Sequence, residues 1–155
     1  MSEYNNDRAA HLQQLIYDTI ALGSAMQLQV KQLDNNMAIL KAPVREANFN
    51  IHDTAFAGSI YSLCALTAWG LVHMRLLNER LKADVVIAKA DIAYKLPVYD
   101  FINTRCQLEE RDYQDFHAAL LEKGKARIEV QVIVREDEKI QALLNANVAV
   151  KLLEA

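Results

Sequence analysis

The chain contains 155 residues, of which 52% are hydrophobic and 24% are charged, and its formal net charge is −3. This hydrophobic content excludes an intrinsically disordered chain and is enough to build one packed domain over residues 1–155. A charge so close to neutral, without a stripe of Lys and Arg, excludes a nucleic-acid binding surface. No apolar run approaches the roughly 20 residues that a membrane span needs. The N-terminus lacks the pattern of a secretory signal peptide, so we expect a soluble cytoplasmic protein.

The first third of the chain predicts a helix followed by two strands. Residues 7–22 carry apolar side chains at helical spacing, with Asp7 as a candidate N-cap and Gly23 as a candidate stop. Apolar and polar residues then alternate from 25 to 33, which is typical of a strand with one face in water. Residues 34–36 (Asp-Asn-Asn) favour a turn, so a second strand is expected over 37–44.

Residues 55–81 predict a helix of about seven turns at the centre of the fold. Its residues are apolar on nearly every side until Val72, and a helix that is apolar all round is buried all round. The helix must therefore lie inside a shell built from the remaining elements. Only the part from His73 onward carries enough charge to meet water.

The second half of the chain predicts four strands and a short helix. A strand over 84–98 ends near Pro97, a second covers 101–109, and a helix over 112–124 is capped by Asp112 and ended by Gly124. Two alternating strands, 125–136 and 139–153, flank an acidic turn. The residues expected to point inward are Ile128, Val130, Val132 and Val134 in the first strand, and Ile140, Leu144, Ala146, Val148 and Val150 in the second.

Short turns between six strands favour an antiparallel sheet, and curling that sheet around the apolar helix buries both surfaces. The expected fold class is therefore α+β. A sheet of this kind leaves one edge strand unpaired, which dimerisation would remove. We therefore expect a homodimer or a tetramer.

Three segments carry a family resemblance. Residues 50–58 (Asn-Ile-His-Asp-Thr-Ala-Phe-Ala-Gly) are similar to the motif N-x-x-G-T-V-H-G-G, residues 91–100 to the signature n-Y-l-r-P-a-x-x-D, and residues 125–134 with 139–142 to a closing hairpin. With this element order, the chain resembles the hotdog-fold acyl-CoA thioesterases over nearly its whole length. Residues 53–71 are similar to the thioesterase domain found C-terminal to a GNAT-type acetyltransferase in some bacterial proteins. The resemblance implies a six-stranded antiparallel sheet wrapped around a long central helix, and an acyl-CoA or acyl-ACP substrate.

The chemistry is expected at the helix mouth, a name we give to residues 48–59. Attack on a thioester carbonyl develops negative charge on oxygen, which the free N–H groups of a helix N-terminus can stabilise. Gly58 would let the substrate approach the backbone closely, and Ala57 nearly so. Alternatively, these small residues only let the helix enter the sheet tightly.

The general base departs from the family pattern. One branch of the family carries an acid on the central helix, where this chain has Ala65. Another carries Asp in the preceding loop, where this chain has Asn50, and Phe56 stands at the usual His position. Asp53 is the remaining carboxylate near the helix mouth, and it either activates a water or caps the helix.

Other polar residues near the helix mouth are candidates for binding. Asn48 and Asn50 are expected to alternate in an extended segment and point the same way, and the serines orient water at most because no base adjoins them. Tyr94 either borders the pantetheine arm, as the resemblance implies, or only ends a strand. The candidate catalytic residues are Asp53, Asn50 and Gly58, and the candidate substrate-binding residues are Asn48, His52, Thr54, Phe56, Ala57, Ser59, Ser62 and Tyr94.

Two further functions stay open at this point. Ala65 at the usual acid position is compatible with a domain that binds acyl thioesters without hydrolysing them. A hotdog hydratase or dehydratase is a weaker alternative, because its usual histidine patterns are absent. We predict no metal and no cofactor, since no second histidine stands at metal-binding spacing. Cys64 and Cys106 lie in apolar surroundings and are expected to be buried thiols.

Overall fold

The computed structural model describes residues 3–154, so positions 1, 2 and 155 of the predicted domain lie outside the described residues. A short 3₁₀ turn (Glu46–Asn48) precedes the central helix. In chain order the elements are α1 (Glu3–Thr19), α2 (Ala21–Ala25), β1 (Gln29–Leu33), β2 (Met37–Pro43), α3 (Ala57–Asn78), β3 (Ala83–Tyr94), β4 (Phe101–Gln107), α4 (Glu110–Lys123), β5 (Lys125–Glu136) and β6 (Lys139–Leu152).

The six strands form one antiparallel sheet, as predicted, and their order in the sheet is β1-β2-β4-β5-β6-β3. The two edges of this sheet differ. Helix α1 packs along β1, where the side-chain oxygen of Gln13 accepts a hydrogen bond from the Val30 N–H at 2.9 Å. Strand β3 pairs with β6 on one side, and no strand of the described residues pairs with its other side.

Helix α3 lies in the curve of the sheet, with Leu63, Cys64 and Leu71 fully buried. It is long and apolar enough to cross a membrane, but 67% of that apolar window is buried inside the fold, as in the core helix of a soluble protein. The prediction of burial on every side was wrong, because the sheet leaves one side of α3 partly open. The half-buried residues on α3 include Tyr61, Ser62, Ala65, Leu66, Trp69 and His73.

Two predicted helix boundaries were wrong at the N-terminus of the chain. Helix α1 already begins at Glu3, so Asp7 lies within the helix and is not its N-cap. The chain breaks the helix at Ile20, which has an extended backbone, and then resumes as α2. Gly23 is a buried residue inside α2 and does not end α1.

Helix α4 follows Glu109, so Asp112 lies within its first turn and is not the predicted cap. Its predicted end is confirmed at Gly124. This residue has a left-handed φ of 73°, which favours glycine, and its N–H donates to the Leu120 carbonyl.

A β-bulge interrupts the last hairpin. Val134 pairs with Ala142 but Arg135 pairs with Ile140, so Gln141 is the extra residue in β6. Gln141 and Ala142 are both buried, and Ile140 is 39% exposed. The inward prediction for Ile140 was wrong because strict alternation assumes an unbroken ladder. The prediction that side chains point inward is confirmed for Leu144, Ala146, Val148 and Val150 of β6, and for the four residues named in β5.

The C-terminal part of α3 was predicted to meet water, yet Arg75 is only 4% exposed. Its guanidinium donates to the Asn35 carbonyl at 3.1 Å and to the Asn36 side chain at 2.6 Å. It also donates to the Glu110 carboxylate at 2.9 Å, and it lies 3.4 Å from the centre of the Tyr113 ring. Partners from the β1–β2 turn and from α4 therefore surround this charge.

Candidate functional site at the N-terminus of the central helix

Asn48 anchors the helix mouth to the body of the fold. Its side chain is 1% exposed, and Nδ2 donates to the carbonyls of Met26 and Pro43, both at 2.9 Å. Its own carbonyl accepts the Phe56 N–H at 2.8 Å, just before α3 begins. Among the described residues, its Oδ1 atom has no hydrogen-bond partner. Asn48 therefore has a structural role beneath the site.

Asn50 organises the loop that follows. Its Oδ1 accepts the N–H groups of His52 (2.8 Å) and Thr54 (3.2 Å), and its Nδ2 donates to the Thr54 hydroxyl (2.7 Å) and the Ala55 carbonyl (3.2 Å). The expectation that Asn48 and Asn50 point the same way was wrong, because Asn48 belongs to a 3₁₀ turn and not to an extended segment. The four bonds of Asn50 hold the loop in one conformation.

Asp53 lies in this loop with a left-handed φ of 58°. Asp53 does not cap α3. The N-cap position is Phe56, which has an extended backbone, and no side chain makes a capping hydrogen bond there. The capping alternative was therefore wrong. The Asp53 carboxylate is exposed, and it makes no hydrogen bond or ion pair with residues 3–154. His52 is exposed beside it.

The first turn of α3 leaves two N–H groups without an acceptor in the helix. The Phe56 carbonyl accepts the N–H groups of Ser59 and Ile60, whereas those of Ala57 and Gly58 precede the first helical bond. These two N–H groups lie at the positive end of a helix of 22 residues.

The Phe56 ring covers Gly58. A Cβ atom at position 58 would lie 2.4 Å from Cε1 of this ring, so only glycine fits without moving it. On the inner side, the Ser62 hydroxyl donates to the Gly58 carbonyl at 2.8 Å, and Ser59 is buried. Glycine at position 58 therefore lets the Phe56 ring lie against the first turn of α3.

Tyr94, at the end of β3, reaches over to the same turn. Its hydroxyl donates to the Ala57 carbonyl at 2.8 Å. Partial burial raises the pKa of Tyr94, and the nearby Cys64 and Tyr61 raise it further. Tyr61 thus lies near the site, although the sequence argument did not select it. Its position on α3, one helical turn after Gly58, is the signal that could have indicated it.

An open groove of about 330 Å³ lies between the helix mouth and the segment at the end of β3. It brings together Asn50, Thr54, Ala57 and Tyr94 from the predicted set, with Gly58, Phe56, Ser59 and Ser62 on the adjoining turn. Asn48 lies beneath, and His52 and Asp53 lie on the exposed loop. The groove is lined by Asn50, Thr54, Ala55, Ala57, Ile60, Tyr94, Lys95, Leu96, Pro97 and Val98.

The buried thiols do not supply a nucleophile. Burial raises the pKa of both Cys64 and Cys106 to about 12, so each stays protonated near neutral pH. Residues 3–154 contain no group of three or more His, Cys, Asp or Glu side chains placed to hold a metal ion. The chemistry available in the described residues is therefore hydrogen-bond donation by the helix end beside an exposed carboxylate.

Comparisons with known proteins agree with this geometry. The family model described as "Putative thioesterase (yiiD_Cterm)" matches residues 9–149. A "putative thioesterase" from Shewanella oneidensis is 27% identical, with a TM-score of 0.82, over 93% of this chain and 97% of that one. OLEI01261, a protein of unknown function from Chlorobaculum tepidum TLS, is 26% identical, with a TM-score of 0.88, over 95% of this chain and 96% of that one.

A more distant likeness identifies the architecture. The PaaI protein of E. coli, from the phenylacetic acid degradation operon, is 13% identical with a TM-score of 0.66, over 96% of each chain. At this identity the likeness shows the fold alone, which is the hotdog fold. Since the family model covers most of the chain, this protein belongs to the yiiD_Cterm thioesterase family.

Proposed function

We propose that this protein hydrolyses an acyl-CoA or acyl-ACP thioester at the helix mouth. The observation that carries the proposal is the N-terminus of α3, where the N–H groups of Ala57 and Gly58 have no helical acceptor and Ala57 lines the groove. A thioester carbonyl oxygen placed there would accept both bonds as its negative charge develops. Family membership supports the reaction class.

The proposed reaction is the addition of water to the thioester carbonyl. Asp53 takes a proton from the attacking water, whose oxygen bonds to the carbonyl carbon while the amides hold the oxyanion. The carbon–sulfur bond then breaks, and the proton passes to the leaving thiolate. Because Asp53 is not engaged as a helix cap, its carboxylate is free for this role. Asn50 keeps the loop in place, and Thr54 and Tyr94 border the substrate.

The first test is the release of free thiol from a panel of acyl-CoA esters, acetyl to palmitoyl, by wild type and Asp53→Asn. We expect the variant to lose about 100-fold in kcat/KM, which is typical for a general base. Asp137→Asn is the matched control, because Asp137 is also exposed on a turn with a left-handed φ of 52°. Wild-type turnover in Asp53→Asn would remove Asp53 from the mechanism.

Binding without turnover is the second candidate function, and one observation favours it. Ala65 lies on the partly open side of α3, so no carboxylate stands where one branch of the family carries its acid. A binding domain would give saturable acyl-CoA binding in calorimetry and no thiol release with any ester. Hydrolysis of any ester in the panel would exclude it.

We also propose that the active form is a homodimer or a tetramer. The free edge of β3 ends at Tyr94, beside exposed apolar residues of the helix mouth region, including Ile51, which is 92% exposed. A second copy would pair with this edge and cover the patch. Light scattering at micromolar concentration should give at least twice the chain mass.

Two free buried thiols are compatible with a reducing cytoplasm, which is the location we propose.

A further inference from the structure

Gln141 is a buried polar residue that the sequence pattern does not indicate. It is 4% exposed, and the bulge in β6 turns its side chain inward next to Ala142. On an unbroken strand, one of these two neighbours would face the solvent. The bulge therefore delivers an amide to the interior, beside the end of β3.

Gln141 contacts the groove wall, a name we give to residues 95–98. Its carbonyl accepts the N–H groups of Lys95 at 2.8 Å and Leu96 at 3.1 Å. Its side-chain Nε2 lies 3.5 Å from the Pro97 carbonyl, at the limit of a hydrogen bond. A single residue thus holds three successive residues of the wall.

The groove wall is in turn connected to the helix mouth. The Val98 carbonyl accepts the Ala55 N–H at 2.8 Å, two residues before the first residue of α3. Any displacement of the wall therefore displaces the backbone that leads to the amides of Ala57 and Gly58.

The side chain of Gln141 is not the one that folding alone would favour. Its Oε1 is buried, with no hydrogen-bond partner among residues 3–154. An unsatisfied buried polar group destabilises the folded state, and an apolar side chain of similar shape avoids this cost. The remaining polar contact of the amide is with the wall of the groove.

We infer that Gln141 is a positioning residue for the proposed thioesterase site. Its amide restrains the Pro97 carbonyl, which fixes the groove wall and, through Val98, the backbone at Ala55. Gln141 does not touch the substrate, because it lies behind the wall. Its effect on catalysis rests on the proposed function, whereas its effect on the wall can be measured without any substrate.

The test compares Gln141→Met with Gln131→Met in the otherwise intact protein. Gln131 is a matched control on the neighbouring strand, because its exposed amide donates to Asn145 on the outer face of the sheet. We expect backbone hydrogen exchange at Ala55 and Leu96 to speed up by roughly fivefold in Gln141→Met alone, as for a local opening. The melting temperature should stay the same or rise, since the unsatisfied oxygen is gone.

The kinetic part of the test uses the acyl-CoA ester that wild type hydrolyses best. We expect KM to rise roughly fivefold in Gln141→Met with kcat nearly unchanged, since a looser wall holds the substrate less well. Unchanged exchange at Ala55 and Leu96, or a fall in melting temperature with faster exchange throughout the core, would overturn the inference. An unchanged KM with a loosened wall would overturn its link to the site. If wild type hydrolyses no acyl-CoA and no acyl-ACP thioester, the proposed function fails, and hydrogen exchange alone decides whether Gln141 holds the wall.

Discussion

The two ends of helix α3 differ in how their polar groups are satisfied. At the N-terminal end, the N–H groups of Ala57 and Gly58 have no acceptor within the helix, and Ala57 lines an open groove. At the C-terminal end, buried Arg75 has partners on two other segments of the chain, the β1–β2 turn and α4. A helix end without partners needs water or a ligand. The C-terminal end therefore contributes to stability, whereas the N-terminal end leaves two donors free for the proposed substrate.

The C-terminal end is a connected network of side chains. Arg75 contacts Glu110 and, more loosely, Glu79 at 3.5 Å. Glu79 also accepts a hydrogen bond from the Tyr113 hydroxyl at 2.8 Å and lies 3.2 Å from the His117 ring. Burial, with the hydrogen bond to Glu79, raises the pKa of Tyr113. Because these side chains share hydrogen-bond partners, removing one of them weakens the contacts of several others.

The largest expected effect is on stability, from Arg75→Met. Losing the buried guanidinium removes the donors to the Asn35 carbonyl and the Asn36 side chain, and it removes the stacking on Tyr113. We expect the free energy of unfolding to fall by about 2 kcal/mol, because a partly buried carbonyl is left unsatisfied and the contact with the Tyr113 ring is lost. Urea denaturation followed by circular dichroism measures this change.

Arg111→Met is the control for this variant, because Arg111 is exposed on the surface of α4. It should change the unfolding free energy by less than about 0.5 kcal/mol. Thiol release by Arg75→Met, measured well below its melting temperature, should stay close to that of wild type. Equal stability of the two variants would contradict the assigned role of the C-terminal end.

A smaller effect, on activity, is expected from Gly58→Ala at the N-terminal end. The added Cβ would lie 2.4 Å from the Phe56 ring and would push this ring across the turn that carries the free amides. We expect kcat/KM to fall roughly tenfold, less than for loss of an oxyanion donor. Stability should hold or rise slightly, because alanine favours a helix more than glycine does.

The double variant Gly58→Ala with Phe56→Ala separates two reasons for the glycine. If the aromatic ring is the reason, the added methyl group should have little effect on thiol release once the ring is gone. If close approach of the substrate is the reason, Gly58→Ala should reduce activity as much in the Phe56→Ala background as in wild type. The cycle of four variants measures the coupling directly.

The sequence predicted the elements well and the side-chain contacts less well. Period-two alternation in β5 and the left-handed stop at Gly124 are local signals, and both were confirmed. The burial of Arg75 depends on residues 35, 36 and 110, which are far away in sequence. The β6 bulge at Gln141 has no Gly or Pro to indicate it.

The location of the candidate site stays a prediction, and some of the roles predicted for its residues were wrong. The polar residues before α3 do border a groove, as the motif in residues 50–58 implied. Asp53 was expected to cap the helix if it was not a base, but the extended backbone of Phe56 takes the N-cap position instead. Asn48 was assigned to the substrate, but the carbonyls of Met26 and Pro43 occupy its amide. Backbone geometry of this kind is set by packing against distant strands, which local propensity does not encode.

The smallest expected effect is the pH dependence that Glu110 gives to the C-terminal end. The hydrogen bond from Arg75 holds the pKa of Glu110 below its ordinary value, and Gln114 adds to this. A carboxylate whose pKa is lower in the folded state stabilises the fold fully above its unfolded pKa, and this contribution is lost as the pH falls through the folded pKa. Glu110→Gln should therefore melt slightly below wild type at pH 7, and the gap should narrow as the pH falls below the ordinary pKa of a glutamate.

Melting curves from pH 7 to pH 3 measure this gap, with Glu122→Gln on the exposed surface of α4 as the control. The effect is small because the Glu110 side chain is half exposed, so water and salt screen its pairing with Arg75. Added salt should reduce the gap further at pH 7 but leave that of Arg75→Met large, because the buried guanidinium also loses neutral partners. A gap that persists at pH 3 would mean that Glu110 acts through packing, and the C-terminal end would then owe its stability to Arg75 and its neutral contacts.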